Sequence, residues 1–346
     1  MEKGPGLQEI AARAGVSAMT VSRALSGKGR IADATRQRIT AIAAGLGYRP
    51  NLLARELKQG SSCCVGMLWS MSHPYNGVEL LRDLSRKLLE AGFASLVVDS
   101  MSDAVLVRRA LEDFLARRVE ILLLDDRMCL ESRGQFSSLL CKFKSVILVK
   151  QHPFADAPFD QIVMDPVPAL EGAVRFFKEQ GRKHAAVLTP RARHIELWKQ
   201  LSRKYALPID LLGVENDWKK DIRREVAFLE QHYPGALPFD VLFSMVDETA
   251  LLLIDYLRGR GLDVPRDVAA CGFNDSVLTR LSTPALASLE TTSARLGPAI
   301  EELIFDRIRD PGRPPRRITL PLRFVPRASA GTIPDKTTPS HKETLS

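Results

Sequence analysis

The sequence predicts a small all-α head with a hinge helix, followed by a two-lobed α/β body with parallel sheets. Three observations predict it. Leu7 to Leu57 holds successive helical patterns punctuated by Gly15, Ser17 and Tyr48-Arg49-Pro50-Asn51. From Cys63 onward, short apolar runs alternate with amphipathic helical patterns, the signature of parallel sheets covered by helices. The charge is also uneven: residues 1–62 carry ten Lys/Arg against four acids, so most of the net +8 of the 346-residue chain sits there. A concentrated basic excess suits a phosphate-binding surface, and equally an ordinary solvated one.

In the head, Ile10, Ala11 and Ala14 line one face of a first helix. Gly15 permits the left-handed backbone of a tight turn, and Val16 plugs the gap between helices. Ser17 is a natural N-cap, its hydroxyl accepting from free backbone N–H groups one turn in. The second helix, Ala18 to Ser26, buries Val21, Ala24 and Leu25 and turns Ala18, Met19, Thr20, Ser22 and Arg23 outward. Two short helices crossing at small residues make either a plain helical hairpin or a helix-turn-helix that sets its second helix in the DNA major groove. The continuation favours the second: Thr35 to Leu46 forms a third helix with Ile39, Ile42 and Leu46 inward, and Tyr48-Arg49-Pro50 stops it, because the residue before proline avoids helix. Asn51 then caps a short helix over 52–58, marginal on its own in water and formed against a partner or DNA.

No segment approaches the ~20 uninterrupted apolar residues of a membrane span, and the first residues lack an apolar secretion core. The five cysteines include no C-x-x-C pair. Neither a disulfide framework nor a zinc site is expected, no cofactor is implied, and a reducing cytoplasm fits.

In the body the strand-like runs are Val65–Trp69, Leu96–Val98, Ile121–Leu124, Val146–Val149, Ala185–Leu188, Val241–Phe243 and Val268–Cys271. Helical patterns cover Val78–Glu90, Val105–Arg117, Ala169–Gln180, Glu196–Tyr205, Ile222–Gln231 and Thr249–Gly259. A ligand of such a body binds at the carboxyl ends of its strands.

Taken together, I-A-A-R-A-G-V-S-A-M-T-V-S-R-A-L (Ile10–Leu25), T-R-Q-R-I (Thr35–Ile39) and Y-R-P-N-L-L-A-R-E-L (Tyr48–Leu57) resemble the LacI/GalR family of transcription factors. The resemblance is nearly gap-free over about fifty residues. It continues more weakly in G-L-D-V-P-R-D-V-A-A-C-G-F-N-D-S (Gly261–Ser276), S-M-V-D-E-T-A (Ser244–Ala250) and E-Q-G-R-K-H-A-A-V-L-T (Glu179–Thr189). It implies a periplasmic-binding-protein-like body whose chain crosses between lobes three times. The expected division is a head at 1–50, hinge helix and linker at 51–62, lobe one at 63–160 and 292–319, lobe two at 161–291 and 320–329, and a disordered tail at 330–346.

The resemblance also implies roles. Ala18, Met19 and Arg23 become base-reading positions: Arg23 can take a bidentate bond to guanine, while Ala18 and Met19 can touch a thymine methyl. Partial burial against the first helix is the other reading of Met19. Ser17, Thr20, Ser22 and Tyr48 become phosphate contacts, which position without reading sequence, and Asn51, Arg55 and Lys58 are placed to meet phosphates too. In the paired hinge helices of a dimer, Ala54 takes the small-residue contact position and Leu57 that of a minor-groove wedge, where unstacking is repaid by wider contact.

The cleft departs from the family pattern. Val246 stands where Asn commonly precedes the Asp of N-D-x-x-A, here Asp247. Asn274 replaces the first acid of G-[FY]-D-D, Lys150 replaces a frequent acid, and the expected cleft arginine has no match, with Glu196 near its place. Thr291 stands where a hydrogen-bonding side chain often sits. Trp69, Ser70, His73 and Tyr75 would line the other wall, and Trp218 could cap it; His73 and Tyr75 fit loop packing equally, and Trp218 a core position. Each sugar hydroxyl needs a polar partner, so a cleft made less negative suggests an anionic effector rather than a neutral sugar, met by Lys150. A solvent-facing or lobe-paired Lys150 is the competing reading.

The functional expectation is a dimeric, sequence-specific DNA-binding regulator, a repressor by resemblance, on a palindrome of double-stranded DNA with small-molecule control. The alternative is a solute-binding protein of the same lobe architecture without specific DNA binding. No enzyme is expected: G-x-S-x-G, Gly-rich phosphate loops and H-E-x-x-H are missing, and Asp125-Asp126 reads better as a strand end and turn cap than as acid chemistry.

Overall fold

The computed structural model describes residues 6–25, 29–48, 62–69, 77–100, 103–125, 136–150, 158–188, 194–213, 223–290 and 295–331. It separates into two compact units, residues 1–62 and 63–346.

The head holds α1 (Leu7–Ala14), α2 (Ala18–Leu25) and α3 (Asp33–Gly45). Gly15 ends α1 at φ 65°, the left-handed geometry that only glycine takes without strain. Ser17 caps α2: its Oγ accepts from the Thr20 N–H at 3.1 Å. Ile10, Ala14, Val21, Ala24, Ile39 and Ala43 form the buried core, with Val16, Ile42, Leu46 and Tyr48 packed against it. Three helices this short hold together because each gives its apolar stripe to one shared centre.

The body carries two six-stranded sheets among the described residues. Sheet one contains β1 (Cys64–Trp69), β2 (Ala94–Asp99), β3 (Ile121–Asp125), β4 (Ser145–Lys150) and β5 (Asp160–Asp165), closed by β11 (Arg317–Pro321), in the order β11-β5-β4-β3-β1-β2. Sheet two contains β6 (Ala185–Leu188), β7 (Ile209–Leu212), β8 (Val241–Ser244), β9 (Ala269–Asn274) and β10 (Ala287–Glu290), closed by β12 (Phe324–Val325), in the order β12-β10-β9-β8-β6-β7. All pairs are parallel except β10 with β12.

The helices are α4 (Val78–Glu90), α5 (Ala104–Ala116), α6 (Ser137–Leu140), α7 (Val167–Glu179), α8 (Ile195–Tyr205), α9 (Arg224–His232), α10 (Asp247–Gly259), α11 (Leu278–Leu281) and α12 (Leu296–Arg309). Buried on both faces, the central strands read as continuous apolar runs, as in β3 (I-L-L-L) and β4 (S-V-I-L-V). The largest core cluster runs through both lobes, from Val65 and Ile147 to Phe243 and Leu289.

The expected lobe boundaries shift in two places. β5 pairs with β4 and β11 in sheet one, so the first crossing follows Asp165 rather than residue 160. Asp165 marks it: its Oδ1 accepts from the Val167 N–H at 3.0 Å, and its carbonyl accepts from the Leu322 N–H. β11 keeps Leu320 and Pro321 in sheet one, so the third crossing follows residue 321 rather than 319. Arg323 there pairs with Glu290, the end of β10, at 3.0 Å. The expected tail also starts too early: Ala330 is fully buried under lobe two, and residues 332–346 lie outside the described ones.

Candidate nucleic-acid interface and effector cleft

The outward face of α2 is built by its own periodicity. Val21 and Ala24 point into the head core, so residues between them on the helix face solvent. Met19 is 63% exposed and is not folded back on α1. Arg23 is exposed as well, its aliphatic stem lying where a side chain on Gly29 would stand. Ser17 is exposed, Thr20 and Ser22 are half-buried, and Ser17 Oγ lies 2.9 Å from Thr20 Oγ1. Ala18 and Tyr48 are half-buried and pack partly on the core, so each offers only one side outward. The hinge positions Asn51, Ala54, Arg55, Leu57 and Lys58 lie outside the described residues.

In the body, the carboxyl ends of the strands gather Trp69, Asp99, Asp125 and Lys150 on sheet one, and Ser244, Asn274 and Glu290 on sheet two. Lys150 is buried at the last position of β4, in register with Val163. Trp69 is also buried, within the core, its indole closed over by Gly77. Gly77 tolerates this because it sits at φ 83° and has no Cβ to strike the ring.

Lobe two carries the best-defined polar network. Val246 precedes α10, and Asp247 opens it, fully buried. Asp247 Oδ1 accepts from Ser288 Oγ at 2.6 Å and Oδ2 from the Ser276 N–H at 2.7 Å. Ser288 Oγ in turn accepts from the Asp275 N–H at 3.1 Å. Asp275 Oδ1 takes a bond from Thr279 Oγ1 at 3.0 Å and an ion pair from Arg327 at 2.6 Å. Burial pushes the Asp247 carboxyl up to about 6, opposed by these hydrogen bonds. Asn274 and Asp275 hold φ of 122° and 53°, left-handed geometry that costs a non-glycine residue of order 1–3 kcal/mol. The network around Asp247 holds that turn in place.

Asp247 thus supports the Asn274–Ser276 turn, and both its oxygens are engaged by protein groups. Asn274 is buried at the end of β9. Glu196 is exposed in the first turn of α8 and pairs with Arg203 at 3.2 Å; no described contact joins it to Asp247 or Asn274. Ser70, His73, Tyr75, Trp218 and Thr291 lie outside the described residues. Sequence reasoning missed Ser288 and His194. Buried His194 precedes α8 with its ring 6.4 Å from that of Phe273, one residue before Asn274. The only signal for His194 was its place just ahead of a helix following strand β6, and Ser288 had none. Among the described residues no cluster could hold a metal ion, and no helix is long and apolar enough to cross a membrane.

A helix-turn-helix with an outward-facing second helix, joined to a two-sheet α/β body, defines a DNA-binding transcription regulator. Residues 6–51 match the family model of bacterial regulatory proteins of the lacI family, and residues 174–330 that of the periplasmic binding protein-like domain. The head thus matches the lacI family of bacterial regulatory proteins, and the second half of the body a periplasmic binding protein-like domain. It is 25% identical to the ribose operon repressor of Escherichia coli (strain K12) over 334 residues, 94% of this chain and 99% of the relative. It is 24% identical to the transcriptional repressor PurR of Aliivibrio fischeri (strain ATCC 700601 / ES114), over 93% and 97% of the two chains. In fold it is similar to the crystal structure of the lac repressor dimer bound to operator and the anti-inducer ONPF, with a TM-score of 0.80, 19% identity, and coverage of 95% and 99%. A solute receptor lacking specific DNA binding is not favoured, since the matched head is a DNA-binding module.

Proposed function

We propose that the protein is a cytoplasmic repressor that binds a palindromic operator as a homodimer and is controlled by a small-molecule effector in the interlobe cleft. The observation that carries this reading is the exposed face of α2, with Met19 and Arg23 projecting from a helix whose opposite side is fixed in the head core. Two such helices would enter major grooves about one helical turn apart, with the hinge residues Ala54 and Leu57 meeting in the minor groove between them. Ser17, Thr20, Ser22 and Tyr48, joined by Asn51, Arg55 and Lys58, would hold phosphates.

A dimer is supported by exposed apolar side chains at the edge of sheet one, Leu89 at the end of α4 and Val97 on edge strand β2, and by the lac repressor dimer, whose fold the chain shares. Effector control is supported by the polar turn at the end of β9. The remaining cleft assignments, Trp69, Ser70, His73, Tyr75, Glu196, Trp218, Val246 and Thr291 with Lys150, Asp247 and Asn274, belong to the same proposal. The finer reading, an anionic effector, draws on Lys150 alone. Sequencing the genomic fragments that the protein retains tests the operator claim: a shared palindrome supports it, and uniform retention removes it. Metabolites from the pathway next to the recovered sites then test the cleft, with Lys150→Met losing response to an anionic effector and keeping response to a neutral one.

A further inference from the structure

At the end of sheet one opposite the effector cleft lies a second pocket, of about 220 Å³. The amino ends of parallel strands β4, β5 and β11 and the last turns of α12 frame it. Beneath it is Asp160, fully buried, whose Oδ2 accepts from Arg307 Nε at 2.7 Å and from Arg313 Nη2 at 2.9 Å. Its Oδ1 accepts from Arg313 Nη1 at 2.8 Å and the Arg316 N–H at 2.7 Å. One carboxylate therefore faces two guanidinium groups, leaving a positive charge over.

Lys144 adds another at the rim, exposed and without an ion pair among the described residues. Among the described residues no acidic side chain lines the pocket. The nearby Asp306 and Glu302 are engaged by Arg309 and Arg316. Donors are left unspent: Arg313 Nε is buried without a hydrogen-bond partner among the described residues, and the bonds of Arg307 use Nε and Nη1 only. Phe143 and Phe159 supply apolar walls.

We propose that this pocket is a second ligand site, for a small anion bearing a phosphoryl or carboxylate group. Its size falls below that of sites for drug-sized molecules, which excludes a whole nucleotide. The anionic group would meet Lys144 and the spare arginine donors in charge-assisted hydrogen bonds, and its organic part the phenylalanine walls. The site is separate from the cleft and does not depend on the effector reading above.

The test is calorimetric titration of the full-length protein with inorganic phosphate, and separately with malonate, at ionic strength held constant with chloride. We expect saturable binding of at least one of the two in the millimolar range, weakened about tenfold or more by Lys144→Glu and unchanged by Lys150→Met. Lys144 is exposed, so its replacement leaves the fold intact, and an unchanged circular dichroism melt in chloride checks this. Absence of saturable binding by either anion overturns the proposal. So does binding that survives Lys144→Glu, or that is lost in Lys150→Met, which would place the anion in the cleft.

Discussion

Asp247 and Ser288 meet across 2.6 Å inside lobe two, and that bond fixes how the end of β9 turns. Asp247 reaches from the start of α10 beneath the Asn274–Ser276 turn, and Ser288 reaches from β10 on the other side, holding the Asp275 N–H. Gly272, on β9 between them, has no side chain because a Cβ there would run into Asp247 Oδ1. Three elements far apart in sequence thus share one carboxylate.

Asp247 makes stability depend on pH. Its burial raises the pKa from 3.8 to about 6, so the native state holds the proton more tightly than the unfolded chain. Its stabilising share is whole below pH 4 and is lost as pH rises through about 6. The loss is on the order of 3 kcal/mol. Glu248 is raised in the same direction by burial. Asp247→Asn removes this dependence, so wild type should lose stability relative to the variant between pH 4 and 7. Urea unfolding at a series of pH values measures it; parallel curves would show that Asp247 does not titrate in this range.

Gly272→Ala should be costly although the change adds one methyl. The new Cβ meets the side chain and backbone of Asp247 and the side chain of Leu286 at 3.0 Å. Overpacking of this kind costs about 1–3 kcal/mol. Denaturant midpoints give the value, and a loss below 0.5 kcal/mol, the usual spread of surface changes, would mean the turn yields freely.

Asp160→Asn should destabilise more. It leaves Arg307 and Arg313 buried beside one another without their shared carboxylate. Removing one partner of a buried ion pair costs about 3–5 kcal/mol. Thermal unfolding of variant and wild type at pH 7 compares them; equal melting temperatures would mean the two arginines find other partners.

Met19→Ala should leave stability within about 0.5 kcal/mol, as for other exposed sites, and change the preferred operator. Arg23→Ala should cost about 1–3 kcal/mol of discrimination at one base pair per half-site. Selection on randomised half-sites reads both, and unaltered base preferences would take these residues out of base reading.

The head was legible because its signals are local. Gly15, Ser17 and the spacing of Ile10, Ala14, Val21 and Ile39 each act within a turn or two, and the structure uses each as its chemistry suggests. Strands β5, β7, β10, β11 and β12 were not recognised. β11 alternates exposed and half-buried residues, and β5 opens on Asp160 and Gln161, a polar pair that looks like loop until the chain supplies Arg307 and Arg313 to Asp160 some 150 residues later. That missing pair also misplaced the first lobe crossing. Two of the residues assigned to the cleft are held by contacts the sequence did not signal. Asp247 opens α10 and Trp69 ends β1, yet one is spent on Ser276 and Ser288 and the other on Gly77, through contacts that no spacing announces.

The central claim is that the α2 face reads base sequence. Fluorescence anisotropy of the wild-type protein and Arg23→Ala on the selected palindrome and on a scrambled duplex of equal composition tests it most directly, across a salt series. The account predicts that wild type prefers the palindrome by about 10³-fold or more, that binding to both duplexes weakens steeply with salt, and that Arg23→Ala narrows the preference while retaining scrambled-duplex affinity to within the loss of one charge. Equal wild-type affinity for the two duplexes, or a preference unmoved by Arg23→Ala, would contradict it.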